Sequence, residues 1–431
     1  MDSLSLRGLL MAARTHIIGG GLAGLATAVN LTRAGQNVSL YEGAGHCGGR
    51  CRSYFEPALE RRIDNGNHLV LSGNRAVREY LGNIGAPDGL IGPKKTIYPF
   101  LDLSTAERWT VELDACFIFR AMLSKAGRVP GSSRVDYLKA LSLIWASNDS
   151  TVAECLGSDN VLFRRLWEPL VIAVLNTDSF EAAASLLKSV IRETVGQGAA
   201  ACRPLMAREG LSETFVDPAV DFLSANRAVI TLNTRLRAIR IEKGRVKALE
   251  FGSKAVNLAE NDSVVLAVPA LSAAGLVAGL KVPSESRSIV NGHFKLKKKY
   301  KDLSFIGLIG GVAQWLFVRG DIVSVTVSAA NSLVEHPAEN IARTLWGEVV
   351  QALELDVSQI EAQLPPHRII KEKRATFAQT PEQIKKRPKV RTGYSNLFLA
   401  GDWTDTGLPA TIEGTIRSGG TASKTVLISS Y

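Results

Sequence analysis

The sequence predicts an α/β fold into which an α+β domain is inserted. Three observations predict it. A β-branched run over 15–18 leads into Gly19-Gly20-Gly21-Leu22-Ala23-Gly24 and then into helical apolar spacing over 22–34. A second strand over 37–41 follows at once and ends at Glu42. Some 350 residues later, a strand over 396–400 precedes a helix over 412–427. A chain of 431 residues favours more than one domain.

Strand, glycine turn, helix and strand make a βαβ unit of the Rossmann type. Gly19 permits the tight turn, Gly21 lets the backbone approach a pyrophosphate, and Gly24 lets helix pack on strand. Leu22 and Ala23 open the helix, whose unpaired N–H groups and positive dipole end face the phosphates. Glu42, 23 residues beyond Gly19, accepts from ribose hydroxyls and would repel a 2′-phosphate. Gly48-Gly49-Arg50 adds a second close backbone approach and a fixed cation. Leu399-Ala400-Gly401-Asp402 ends the late strand, and Asp402 suits a polyol such as the ribityl chain of FAD, which NAD lacks. These features point to one FAD.

Strands over 229–232 and 264–268 belong with the nucleotide unit. Residues 136–145, 160–175, 180–195 and 338–353 read as helices, and 304–329 as strands. The expected division is a discontinuous FAD-binding domain over 12–90, 203–275 and 391–431, with a substrate domain over 91–202 and 276–390.

Composition narrows the class further. No run reaches the roughly 20 apolar residues of a spanning helix; the apolar stretch 305–318 contains three glycines and Gln314 and reads as strands and turns. The first 14 residues lack a small-residue cleavage site and are not read as a signal peptide, so a cytoplasmic location is expected. Five cysteines without paired C-x-x-C motifs read as free thiols, and no metal site is expected. Net charge is +10, with lysines gathered at Lys295, Lys297, Lys298, Lys299 and Lys301 and a second basic cluster over 385–391. No nucleic-acid-binding motif accompanies them, which excludes that partner class and leaves a solvated face or an anionic membrane surface. Residues 116–128 mix apolar and basic side chains in a pattern that suits either an interfacial helix or a core helix.

With these residues in place, the chain resembles the flavin amine oxidase and phytoene desaturase superfamily, which pairs G-x-G-x-x-G and G-G-R with a late A-G-D segment. Within it, the hydroxysqualene dehydroxylase branch of bacterial hopanoid pathways is the nearest match. Asp64-Asn65-Gly66-Asn67-His68 resembles the branch's D-N-G-Q-H and departs at Asn67. Lys373-Arg374-Ala375-Thr376-Phe377, followed by Pro381 and Arg387-Pro388, and the stretch 397–419 carry the rest. The resemblance implies that Gly19, Gly21, Gly24, Glu42, Gly49 and Arg50 hold the ADP half of FAD and that Leu236 gives backbone contacts to adenine. It further implies that Gly401 and Asp402 meet the ribityl chain and that the helix opening at Ile412-Glu413 aims its N–H groups at the flavin.

The activity so implied is reductive removal of a hydroxyl from a lipophilic C30 isoprenoid alcohol to give squalene. Upstream squalene-pathway synthases are the partners to expect, and attachment to the inner face of the cytoplasmic membrane the location. Asp64 and His68 are the candidate proton donors, with Asp405 and Thr406 in reserve, while Trp403 and Trp315 read as packing residues. The nearest rival is a carotenoid-type desaturase, against which the Asp64–His68 motif and the loop 405–409 argue. An amine oxidase and a non-catalytic flavin-binding scaffold are further rivals. No second dinucleotide turn exists for a nicotinamide, so the electron donor is not specified by the sequence.

Overall fold

Strands read as continuous apolar runs are those buried on both faces, and the nucleotide unit is built from such strands. The computed structural model describes residues 13–113, 116–300, 304–356 and 364–429. In it the strand Arg14–Ile18 is central to a five-stranded parallel sheet, in the order Val229–Thr231, Asn37–Tyr41, Arg14–Ile18, Ser263–Leu266, Leu397–Leu399. Ile17, Val38, Leu40, Val265 and Phe398 share a core with the helices Leu22–Arg33 and Ile412–Ser429. Ile18, Val264, Leu266, Leu397 and Leu399 pack instead against Val246 and Leu249 of an antiparallel three-stranded sheet. Gly419 marks the touching point of the two helices, since a Cβ there would lie 2.5 Å from Ala23 O.

The second large element is a seven-stranded mixed sheet, ordered His367–Phe377, Ser286–Lys295, Ile322–Val327, Trp315–Arg319, Ser304–Ile309, Ile97–Asp102, Arg108–Glu112. Alternation along the strands separates its faces. Leu316, Val318, Val323 and Val325 lie under the helix Ala338–Leu353. The opposite face changes character across the sheet. Trp109, Phe100, Phe305, Trp315 and Phe317 form an aromatic half, packed beneath the helical segments between Phe117 and Glu193. Ser324, Thr326, Asn291 and His293 then form a buried polar half.

Several elements differ from the sequence reading for local reasons. The expected helix over 160–175 is a π-helical turn, Phe163–Trp167, followed by an α-helix, Glu168–Leu175. The π turn stands immediately before Pro169, whose ring and missing N–H interrupt the regular α-helical ladder. The helix over 136–145 divides into an α-helix, Arg134–Lys139, and a 3₁₀ stretch, Ala140–Trp145. The helix over 180–195 is shorter, Ala184–Glu193. Residues 116–128 give a helix, Phe117–Leu123, and a 3₁₀ turn, Lys125–Gly127. Residues 1–12 and Lys301, on which the leader and lysine-cluster readings partly rest, lie outside the described residues.

Candidate cofactor and active site

Two glycine segments from neighbouring stretches face one another at the carboxyl end of the strand Arg14–Ile18. Gly48 N donates to Gly20 O at 2.8 Å, and Gly21 and Gly48 form a parallel bridge. Glu42 fastens the turn: its Oε2 accepts from Gly20 N at 2.7 Å and its Oε1 from Ala44 N at 2.8 Å. The three motif glycines have different surroundings. A Cβ on Gly24 would lie 1.9 Å from Gly19 O, and one on Gly19 would lie 2.5 Å from Ala267 O. A Cβ on Gly21 would meet nothing within 4 Å, and one on Gly49 only Gly21 Cα at 3.5 Å. Gly19 and Gly24 thus serve packing, while Gly21 and Gly49 border open space beneath the first turn of the helix Leu22–Arg33. The N–H groups of Leu22, Ala23 and Gly24 have no intrahelical acceptor. This cradle fits a dinucleotide pyrophosphate.

Arg50 spans the site. Its Nη1 donates to Ala375 O and its Nη2 to Asp402 Oδ1 at 2.8 Å, which ties the early glycine segment to the strand His367–Phe377 and to the late Gly401-Asp402 turn. Asp402 is buried, whereas the Arg50 side chain is 44% exposed. Gly401, at φ +147°, adopts backbone that only glycine enters readily, and its N–H donates to Ser418 Oγ. Leu236 is buried in the turn beyond the strand Val229–Thr231, where Thr234 N donates to Glu42 O at 2.7 Å. Ile412 opens the helix Ile412–Ser429, with Thr411 Oγ1 accepting from Gly414 N.

Neighbouring residues whose roles the sequence reading left blank hold this frame. Arg387 is buried beneath the loop 402–408 and donates to the carbonyls of Leu408, Asp402 and Thr404; burial pushes its pKa down to about 10. Glu413, also buried, accepts from Ala76 and Val77 N–H at the start of the helix Arg75–Asn83 and from Arg417. Both stood in quoted motif stretches, so the signal was present, but their partners are remote in sequence.

The Asp64–His68 loop leaves the hairpin Ser53–Glu56 and Arg61–Asp64 and docks on the polar half of the seven-stranded sheet. Asn291 Nδ2 donates to Asn65 O, and Asn67 Nδ2 donates to Thr326 Oγ1 at 3.1 Å. Asp64 is buried and heavily engaged. Its Oδ1 accepts from Ser53 Oγ at 2.6 Å and Leu211 N at 2.8 Å, and its Oδ2 pairs with Arg319 at 3.0 Å. An ion-paired carboxylate only accepts, so this geometry gives Asp64 a holding role. His68 is exposed to a cavity of about 170 Å³ that Asp64, His293, Phe317 and Ser324 also line. Desolvation lowers the His68 pKa, and the nearby Asp64 acts the other way. Asp405 and Thr406 lie in the loop over Arg387: Asp405 Oδ1 accepts from Gly407 N, and Thr406 Oγ1 from Arg387. Trp403 Nε1 donates to Val268 O, and Trp315 packs in the aromatic half, as packing residues do. A wider cleft of about 580 Å³ opens between the helix Glu168–Leu175 and the strand Ser304–Ile309.

The cradle, the Arg50–Asp402 tie and the cavity beside them define a flavin-dependent oxidoreductase. Comparison with known proteins agrees. Residues 22–427 match the model of the flavin containing amine oxidoreductase family. A hydroxysqualene dehydroxylase of Sinorhizobium fredii is 44% identical over 417 residues, covering 97% of this chain and 99% of the relative. A probable zeta-carotene desaturase of Synechococcus elongatus is 22% identical, covering 96% and 98%. Cyclohexylamine oxidase from Brevibacterium oxydans superposes with a TM-score of 0.66 at 15% identity, covering 96% of this chain and 98% of that one, which shows the shared fold. The chain belongs to the flavin containing amine oxidoreductase family and, within it, to the hydroxysqualene dehydroxylases.

Proposed function

We propose that this chain removes the hydroxyl of hydroxysqualene reductively, giving squalene and water, with FAD as its cofactor and hopanoid synthesis as its setting. The observation that carries the reading is 44% identity, sustained over 97% of the chain, to a relative of that name, against 22% for the desaturase. The overall change is one hydride and one proton in and one water out. Bound reduced flavin supplies the hydride. The protein must hold the allylic carbon, exclude bulk water and protonate the departing oxygen.

In this reading Gly21, Leu22, Ala23, Glu42, Gly49, Arg50 and Leu236 hold the ADP half of the cofactor, in a turn that Gly19 and Gly24 close by packing. Gly401, Asp402 and Ile412 hold its flavin half. The discontinuous domain division of the sequence reading follows from the same assignment. His68 hands the proton to the hydroxyl oxygen, because of the two candidate acids its side chain is the exposed one, while Asp64 orients the loop through Arg319, Ser53 and Leu211. The test is anaerobic single turnover of hydroxysqualene by the dithionite-reduced holoenzyme. One squalene per flavin is expected, with deuterium from the flavin at the carbon that bore the hydroxyl. The rate should rise as pH falls through the His68 pKa, which lies below 6.5. His68→Ala should keep its FAD and lose about 10²- to 10⁴-fold in rate. Oxidised protein that instead makes squalene or a carotene precursor more unsaturated would establish the desaturase reading.

A lipophilic substrate also calls for a route from the bilayer, and possession of a spanning helix is not that route: no described helix is long and apolar enough to cross a membrane. Instead Phe119, Leu123, Leu138, Ile144 and Trp145 are exposed on the consecutive segments Phe117–Leu123, Arg134–Lys139 and Ala140–Trp145. Lys125, Arg134 and Lys139 lie along the same stretch. This surface supports peripheral attachment to an anionic cytoplasmic leaflet, where the upstream synthases would release their product.

A further inference from the structure

His293 stands in the strand Ser286–Lys295, opposite Ser324 of the neighbouring strand, on the polar half of the sheet. It is 1% exposed. Its Nδ1 meets Ser324 Oγ at 2.7 Å, while its Nε2, fully buried and near the backbone of Asp64, makes no well-formed hydrogen bond among the described residues. Buried polar atoms are seldom left unpaired, and where they are, an ordered water is the usual reason. His293 lines the same cavity of about 170 Å³ that His68 faces. That space is roomy enough for several waters. One wall is apolar, through Met206, Leu211 and Phe317, and the far end reaches Arg61 and Asp321, an ion pair at 2.7 Å whose arginine is half-exposed. A space with polar anchors at its inner end and charged residues at its outer end suits water and protons better than an isoprenoid chain.

We propose that this cavity is the water compartment of the active site, with His293 Nε2 anchoring the water that reprotonates His68. The inference rests on the dehydroxylation reading. A proton passes from His68 to the substrate hydroxyl, the C–O bond breaks, and the electron pair leaves with the oxygen as water. The bound reduced flavin would supply the hydride that the carbon then takes up. The neutral His68 then recovers a proton, drawn ultimately from solvent, through the cavity water, and the expelled water joins that pool. His293 touches neither substrate nor flavin in this scheme and is a positioning residue. Burial pushes its pKa down to about 4, so it stays a neutral anchor and does not compete with His68 for the proton.

The test combines a structure and kinetics. A crystal structure of the FAD-bound protein should show water within hydrogen-bond distance of His293 Nε2; a dry cavity would overturn the inference whatever the activity. In repeated turnover of hydroxysqualene under excess dithionite, His293→Leu should lose about 10²-fold in rate while its first turnover stays near the parent's. Its FAD content and apparent substrate affinity should stay those of the parent. His293→Gln, whose amide can reach the Nε2 position, should recover to within about tenfold of the parent. The parent should show a solvent deuterium isotope effect that His293→Leu alters. Parent-like turnover by the leucine variant, or a glutamine variant as slow as leucine, sinks the role for His293. If the parent does not convert hydroxysqualene at all, the dehydroxylation reading falls instead, and the crystal structure alone decides whether the compartment is wet.

Discussion

Gly21 and Gly24, three residues apart in one motif, should fail in opposite ways when enlarged. Gly21 has ordinary extended backbone, φ −71° and ψ 177°, and open space where its Cβ would go. Gly21→Val should therefore leave the apoprotein's stability within about 0.5 kcal/mol of the parent's. The added methyls would occupy the pyrophosphate's place, and overpacking of about 1–3 kcal/mol weakens FAD binding by roughly tenfold to a hundredfold. Gly24→Ala faces the reverse situation. Its Cβ would lie 1.9 Å from Gly19 O, so helix and strand must part by more than about 1 Å from their packed distance. That backbone contact cannot yield as a side chain does, and the cost should reach about 3 kcal/mol or more of fold stability. Urea denaturation of the apoproteins by circular dichroism, paired with FAD titration by quenching of flavin fluorescence, separates the two effects. A Gly21→Val protein that binds FAD like the parent, or an apo-Gly24→Ala protein as stable as the parent, would refute the assignment of roles.

Three further outcomes follow from the buried charges and the apolar surface. Arg319→Leu strands the buried Asp64 carboxylate without its cation and should cost about 3–5 kcal/mol, more than Asp64→Asn, whose partner is partly solvated; denaturation midpoints that rank the other way would contradict it. His293 is held neutral, with a folded pKa of about 4 against 6.5 unfolded. A depressed folded pKa means stability intact above pH 6.5 and lost as pH falls toward 4, by about 3 kcal/mol in all, and His293→Gln should flatten that stretch of the stability–pH curve. The protein should float with anionic vesicles at low salt and release at high salt, and Trp145→Glu with Leu123→Glu should abolish flotation without disturbing FAD content. Equal flotation by the double variant would place the contact elsewhere.

The nucleotide unit was legible because its signals are local. The strand over 37–41 falls on the residues its periodicity named, as does the helix over 338–353 outside that unit, and the glycine turn needs only neighbours to be read. The frame around the site was not legible in that way. Asp64 reads as a free acid in a motif, and only a strand 255 residues later supplies the arginine that occupies it. His293 lies in a ten-residue strand whose polar and small residues show no clean alternation, because one face meets the Asp64–His68 loop and not a hydrocarbon core. Glu413 and Arg387 stand in motif stretches, but they act on backbone groups whose position no residue identity gives.

The order of strands in the parallel sheet also governs when during synthesis this protein can first become a flavoprotein. The glycine turn emerges within the first fifty residues, yet the sheet that supports it takes strands from 229–231, 263–266 and 397–399, and the helix that packs on Ala23 begins at Ile412. A nascent chain stalled before residue 397 has the strand Ser263–Leu266 unpaired along one side and lacks Asp402 to receive Arg50. With the cofactor held as proposed, such a chain should not retain FAD, and it presents a sticky apolar strand to its neighbours. Cofactor capture should therefore come late in biogenesis, and a shortage of FAD should show itself as aggregation of full-length chains sooner than as a pool of idle apoenzyme.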